Sequence, residues 1–420
     1  MDYALFGRTG LAVSRLSFGA MTFGQGPLVP GVVNTINQDQ ADAMVTLALE
    51  RGVTLFDTAD MYTGGQSEEC LGRSLRGRRQ EVLVATKCGF RSGPALNARG
   101  GSYRYVVQAA ETSLNRLGGD AIDFFFLHIP DPFTPDEESA RALEDLTRRG
   151  VIRYGGVSNF SAWRAQKLLG LQERHGWSRL QAAQMYYSLL GRDLEAEFVP
   201  FLRDAGLGLM VWSPLASGYL TGKYTDAVGT LAPTPTPTAA PKAAGTGDDA
   251  TQAPDVLDNG SDNHSGTGPD KGLGTGPDKG RGTGQDNGPD VIADRTEMAA
   301  DPGGAGRRRG FDFPPINRAM GDQVVAALRE IADGRPGTTP AEVALAWLLT
   351  RDFVTTILIG ATSLDQLATN LRAAELRLSE DEIARLDTLT RPPLPYPAWM
   401  QPMGSDATLA AALGVRAPLS

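Results

Sequence analysis

Four side chains in the first third of the sequence have the types needed to move a proton while a hydride moves beside it. They are Asp57 and Tyr62 in LFDTADMY, Lys87 closing VLVATK and His128 closing FFFLH. A phenol titrates near about 10, too weak an acid for reversible work near neutrality. An adjacent ammonium favours the phenolate and lowers that value, and a carboxylate paired with the ammonium keeps it in place. Asp57 would therefore serve Lys87, Lys87 would serve Tyr62, and Tyr62 would hand its proton to a carbonyl oxygen while the carbonyl carbon receives hydride. His128 would donate a hydrogen bond to the same oxygen, orienting and polarising it. Each residue taken singly has a plainer use. An Asp at a strand end caps the next helix, a Tyr packs, a Lys pairs at the surface, and a His closing an apolar strand is a hydrogen-bonded core residue or a metal ligand. His175, at an expected helix end, and His264, in a polar segment, give His128 no second ligand, so no metal site is expected.

Short apolar runs rich in β-branched or aromatic residues fall at 16–19, 53–57, 82–87, 122–128, 154–158, 182–184, 209–213 and 356–360. Between them, segments such as 40–51, 104–117 and 137–149 place Leu, Ala and Val at three- and four-residue spacing, as helices covering a sheet require. Strand and helix alternating in this way call for a parallel sheet with crossover helices, and eight repeats predict an α/β fold of the (β/α)8 TIM-barrel type. In that fold the site forms at the C-terminal ends of the strands, which is where the four residues fall. Ahead of the first strand, 3–6 and 11–14 flank Gly7 and Gly10 in the pattern of a small hairpin, expected to plug the barrel bottom.

Residues 225–310 break from this pattern, being rich in Gly, Pro, Thr and Asp with almost no large apolar side chains. Within them GTGPDKGL at 266–273 recurs as GTGPDKGR at 274–281 and loosely as GTGQDNGP at 282–289. Such a segment cannot offset its ordering entropy by burial. A calcium-binding β-roll would need a nine-residue period with a large apolar residue per turn, and both are missing. The expected organisation is one barrel built from 1–224 and 311–400, a disordered low-complexity insertion at 225–310 and a tail at 401–420. The formal net charge of −9 disfavours a nucleic-acid surface. Cys70 and Cys88 have no paired spacing, so neither a disulfide framework nor a thiolate metal site is expected. Without a leader pattern or an apolar run of bilayer length, the expected setting is cytoplasmic and away from membranes.

On these motifs the chain resembles the aldo-keto reductases. FDTADMY, the Lys in ATKCGF and the His in FLHIPD fall where that family carries its Asp, Tyr, Lys and His tetrad, and the likeness runs over nearly the whole chain apart from the insertion. HIPDPFTPDEE and WSPLASG look especially like the branch that holds potassium-channel β subunits and bacterial aldo-keto reductases. Those channel subunits lack the histidine that stands here as His128. The resemblance thus implies an active oxidoreductase acting reversibly on small-molecule aldehydes or ketones, with catalytic roles for Asp57, Tyr62, Lys87 and His128. The other reading is a nucleotide-binding regulatory module with little turnover. A metal-dependent barrel hydrolase would need clustered His and carboxylate ligands, which are missing.

No Gly-x-Gly-x-x-Gly follows a strand, so the hydride source would not lie in a Rossmann site. At the later strand ends Ser158, Asn159 and Gln184 could hold a carboxamide. Trp212 is either a core aromatic or a face for a nicotinamide ring, and the resemblance favours the ring. LIGATSLDQLATN opens a helix with small and hydroxyl residues, where backbone amides and the dipole attract phosphate. Gly360, Ala361, Thr362 and Gln366 are therefore expected at the adenosine phosphate end, with Asn370 reaching adenine. The resemblance further implies Lys223 and Arg318 on a 2′-phosphate, and hence NADP(H). It extends the cofactor-binding set to Gly19, Ala20, Met21 and Asp57, and to Ser213, Pro214, Leu215 and Gly218. Met21, Phe23, Phe90 and Tyr187 would form an apolar substrate wall if they point inward. The insertion between Lys223 and Arg318 is either an inert spacer or a lid over the cofactor.

Overall fold

A computed structural model of the chain describes residues 1–29, 32–224 and 313–404, with four isolated positions beyond. The expected 225–310 insertion, with its repeat and His264, lies outside the described residues, as does most of the 401–420 tail. The chain opens with β1 (Tyr3–Leu5) and β2 (Ala12–Ser14), an antiparallel pair with Ala4 opposite Val13. Then come β3 (Leu16–Gly19), a second hairpin of β4 (Gly24–Val29) and β5 (Val32–Ile36), and α1 (Gln38–Glu50). Strand and helix alternate through β6 (Leu55–Asp57), α2 (Gln66–Ser74), β7 (Leu83–Cys88), α3 (Tyr103–Leu117), β8 (Ile122–Leu127) and α4 (Asp136–Arg148). The alternation continues with β9 (Ile152–Ser158), α5 (Ala162–His175), β10 (Ala182–Tyr186), α6 (Phe198–Ala205) and β11 (Gly208–Trp212). After residues 225–310 follow α7 (Arg318–Asp333), α8 (Pro340–Leu349), β12 (Thr356–Ile359), α9 (Leu364–Arg372) and α10 (Glu380–Thr390).

The eight strands β3, β6, β7, β8, β9, β10, β11 and β12 form a closed parallel barrel in chain order, sealed where Ile357 of β12 pairs with Leu16 of β3. All eight expected apolar runs are barrel strands, with ends that agree to within two residues. Several helices start where the sequence supplies a cap. Asn37 and Gln40 form a capping box on α1, Ser102 accepts from the Tyr105 amide on α3, and Thr339 with Glu342 boxes the start of α8.

The N-terminal hairpin plugs the barrel. Phe6 and Val13 join Leu55, Ala85, Phe124, Phe126, Ala182 and Met210 in one buried cluster inside the strand ring. The Phe6 and Phe124 rings lie 4.5 Å apart. The plug fits because β11 begins with glycine: a Cβ at Gly208 would stand 2.4 Å from the Phe6 ring. No element is expected from sequence in the segments that form the β4–β5 hairpin, GQGPLV and VVNTI. The hairpin forms because Asn34 Nδ2 donates to the Met21 carbonyl at 2.7 Å and to Thr63 Oγ1 at 2.8 Å, ties that only the assembled barrel provides.

Candidate active site

The residues singled out by the sequence reading stand at the C-terminal ends of the barrel strands. Asp57 ends β6, Lys87 lies one residue from the end of β7, His128 follows β8, Ser158 ends β9 and Trp212 ends β11. Gln184 lies within β10, and Tyr62 opens a short 3-10 turn after β6. Asp57, Lys87, His128, Ser158 and Gln184 are buried.

At the floor, Lys87 Nζ donates to Asp57 Oδ2 at 2.6 Å and to the Thr58 carbonyl at 2.6 Å. Gln184 Nε2 donates to the other Asp57 oxygen at 2.8 Å. Burial works against the Lys87 ammonium, but the Asp57 charge and then Tyr62 outweigh it and hold the lysine above its ordinary value. Its Nζ stands 5.0 Å from the centre of the Tyr62 ring, and the Tyr62 hydroxyl is one of its hydrogen-bonding partners. The Tyr62 and His128 rings meet edge-on, 6.0 Å apart. Burial, helped by the Lys87 charge, keeps the His128 pKa well below its ordinary value, so the imidazole is neutral. His128 Nδ1 is buried with no hydrogen-bond partner among the described residues. A buried polar atom left in this state suits a bound molecule that pairs with it.

Around the rim, the Asn159 side chain is engaged on both ends. Its Nδ2 donates to the His128 carbonyl at 3.0 Å and to Ser158 Oγ at 3.1 Å, while Oδ1 accepts from Trp212 Nε1 at 3.1 Å. Asn159 thus orients the Trp212 indole, a connection that sequence spacing does not show. Phe313 lies parallel to that indole at 5.7 Å and Tyr186 is tilted against it at 5.2 Å. The segment after β11 carries positive φ at Ser213 (53°), Ala216 (48°) and Ser217 (52°), a local strain of the kind concentrated at binding sites. Pro214 and Leu215 lie between them. Gly218 brings its Cα close to Lys223, since a Cβ there would meet Lys223 Nζ at 3.2 Å. Lys223 is exposed, and exposed Arg318 opens α7. The Tyr219 hydroxyl ties the start of α7 to this segment through Asp322 at 2.5 Å.

Beyond β12, Ser363 caps α9 by accepting from the Gln366 amide. The Gln366 side chain in turn accepts from the Thr362 amide at 2.8 Å, and Asn370 Nδ2 donates to the Gly360 carbonyl at 3.4 Å. Ala361 is buried and its carbonyl accepts from Thr22 Oγ1. On the neighbouring strand, Gly19 ends β3 and leads into Ala20 and Met21. The donor set fits a dinucleotide with one qualification: the Thr362 amide and the Asn159 amide group are satisfied within the protein, so binding there exchanges partners.

The apolar wall is smaller than the sequence suggested. Tyr187 is wholly buried, stacked on Trp347 and bonded to Glu195, and Phe23 packs on Phe18 in the core. Both point away from the mouth because apolar area is buried more completely between barrel and helices than at an open rim. Phe90 does face the site, its ring edge-on to His128 at 4.7 Å. Met21 is partly exposed. His175 ends α5 and stacks on Trp177, away from β8. Sequence reasoning missed Asp60, Thr63 and Tyr105, which pack behind the Tyr62 turn and come from segments whose neighbours are set only by folding.

Among the described residues no cluster of three or more His, Cys, Asp or Glu could hold a metal ion, and no helix is long and apolar enough to cross a membrane. The sequence profile of the aldo/keto reductase family matches residues 15–391. A versiconal hemiacetal acetate reductase of Aspergillus parasiticus is 36% identical over 246 residues, covering 54% of this chain and 71% of that protein. A probable voltage-gated potassium channel subunit beta of Arabidopsis thaliana is 37% identical over 229 residues, covering 53% and 67%. A putative voltage-gated potassium channel subunit beta of Schizosaccharomyces pombe is 28% identical over 398 residues, 93% of each chain. With a barrel of eight parallel strands, a buried Asp–Lys pair beside a tyrosine at its mouth and a profile match that spans both sides of the insertion, the chain belongs to the aldo/keto reductase family.

Proposed function

We propose that the protein is an NADPH-dependent reductase of aldehydes or ketones, also able to oxidise the corresponding alcohols, with Tyr62 as proton donor. The observation that carries this reading is the buried Asp57–Lys87 pair, closed at 2.6 Å beside the Tyr62 ring. A bound nicotinamide supplies the hydride. The Lys87 ammonium favours the phenolate that Tyr62 becomes on giving up its proton, and so lowers the cost of that transfer. Asp57, steadied by Gln184, keeps the ammonium in place. His128 is neutral, so it can donate a hydrogen bond to the substrate oxygen without competing as an acid.

For the cofactor, Ser158, Asn159 and Gln184 suit the carboxamide and Trp212 the ring. Because Phe313 lies on the indole, ring stacking on that face requires Phe313 to move. Gly19, Ala20, Met21, Ser213, Pro214, Leu215 and Gly218 would line the cofactor, with Gly360, Ala361, Thr362, Gln366 and Asn370 at the adenosine end. Lys223 and Arg318 suit a 2′-phosphate, which favours NADP over NAD. The names of relatives, a hemiacetal acetate reductase and a putative aryl-alcohol dehydrogenase of Schizosaccharomyces pombe, agree with carbonyl and alcohol chemistry. The setting this reading implies is a cytoplasmic enzyme of small molecules.

The test is NADPH consumption across a panel of aldehydes and ketones that includes nitrobenzaldehyde, run beside Tyr62→Phe. Loss of the general acid should lower kcat by about 10²–10⁴-fold, while the NADPH Kd stays within about twofold, since the phenol is assigned to the transition state rather than to cofactor binding. Tight NADPH binding by wild type with no turnover anywhere in the panel would instead favour a nucleotide-binding regulatory module, the reading that the channel-subunit relatives suggest.

A further inference from the structure

Behind the Tyr62 turn lies a cluster that the proposed chemistry does not use. Asp60 is 3% exposed; its amide donates to the Lys87 carbonyl at 3.0 Å. The Tyr105 hydroxyl of α3 stands within hydrogen-bond distance of three oxygens: Asp60 Oδ2 at 2.9 Å, the Phe90 carbonyl at 3.1 Å and Ser92 Oγ at 3.0 Å. A phenol has one proton to give and can otherwise only accept. Burial, followed by the Asp60 charge, pushes the Tyr105 phenol up, so it keeps that proton. The Phe90 carbonyl can only accept, and an ionised Asp60 can only accept. With Asp60 ionised, one proton must serve both and one contact fails. With Asp60 neutral, its carboxyl donates to Tyr105, Ser92 donates to Tyr105, and Tyr105 donates to Phe90, so all three contacts are made.

We propose that Asp60, carried as the neutral acid, is a positioning residue that works through Tyr105 to fix Phe90 against His128. This rests on the reductase reading, in which His128 orients the substrate. The surroundings of Asp60 favour the neutral form. Burial raises its pKa to about 7; the buried Glu68 carboxylate of α2 adds to this, while the Tyr105 hydrogen bond, the Arg116 guanidinium of α3 and the Met61 amide oppose it. Cys88 of β7 also faces Asp60, and its thiol is held well above its ordinary value, chiefly by burial, so it brings no charge. Arg116 is largely engaged elsewhere, donating to Glu68 Oε2 at 2.9 Å and to the Asp60 carbonyl at 3.3 Å. Asp60 Oδ1 has no hydrogen-bond partner of good geometry among the described residues, a position that costs an anion more than a neutral acid.

As pH rises through the Asp60 midpoint the carboxyl ionises, draws the Tyr105 proton to itself, and releases the Phe90 carbonyl. The chain has three histidines, and the ring resonance of His128, next to the Phe90 ring, reports this without any turnover. In wild type, that resonance should shift with a single midpoint between about pH 5 and about pH 9, and kcat should fall about tenfold over the same midpoint, the worth of one hydrogen bond. Asp60→Asn, whose amide donates at every pH, should hold the low-pH values of both readouts and show no such midpoint. Tyr105→Phe should show the weakened state at every pH. The proposal is overturned if Asp60→Asn retains the wild-type midpoint, if it behaves like Tyr105→Phe, or if the His128 resonance titrates while kcat does not follow. Failure of the reductase reading shows differently, as turnover that survives Tyr62→Phe, and leaves the resonance test standing.

Discussion

On the β6–β8 side of the barrel mouth, Asp57, Lys87 and His128 are buried and gathered around one ion pair. On the β11–β12 side, Trp212, Ser213, Lys223 and Thr362 are partly or fully exposed, and the distinctive feature is backbone shape: positive φ at Ser213, Ala216 and Ser217. The first side gains its chemistry from desolvation, which makes a single charge next to a phenol or an imidazole count for much more than it would in water. The second side presents amides, hydroxyls and a ring face that now bond to one another, as Gln366 does to Thr362 and Asn159 to Trp212. On the proposed reading, one side is prepared for proton transfer before any ligand arrives. The other must exchange its internal partners for a ligand, which costs little per contact because water screens it.

If this contrast holds, substitutions on the two sides should differ in both size and readout. The largest effect is expected for Lys87→Met. It leaves Asp57 buried without its partner and should lower unfolding free energy by about 3–5 kcal/mol, read as a shift in denaturant midpoint, with activity lost as well. Adding Asp57→Asn should restore part of the stability and none of the rate; stability that is no better in the double variant would remove the buried pair from the floor of the site. An intermediate effect is expected for Arg318→Ala, which should weaken NADPH binding by about tenfold or more, as for a charge-assisted hydrogen bond, while NADH binding and the denaturant midpoint stay nearly unchanged. Equal losses for the two cofactors would show that Arg318 does not read the 2′-phosphate. The smallest is expected for Trp212→Ala. An aromatic stacking contact of about 1 kcal/mol corresponds to a several-fold rise in the Kd for cofactor, with kcat much less affected. A kcat loss on the scale of Tyr62→Phe would instead place Trp212 with the proton-transfer side and erase the contrast.

The sequence by itself determined the barrel and the place of Asp57, Lys87 and His128 at its mouth. Eight apolar runs separated by helical spacing admit few alternatives to a closed parallel sheet, and Asp57, Lys87 and His128 each follow or end such a run, so strand periodicity alone puts them at the same rim. The resemblance in FDTADMY supplied Tyr62 as well. What only the tertiary structure decided lies where the partner is distant in the chain. The β4–β5 hairpin is held by Asn34 against Thr63, Tyr187 turns into the core to meet Trp347, and Tyr105 reaches Asp60 across 45 positions. Periodicity reports which face of an element is buried. It does not report which buried polar groups meet there, and a hydrogen bond between two such groups is set by distances of about 3 Å that local sequence leaves free.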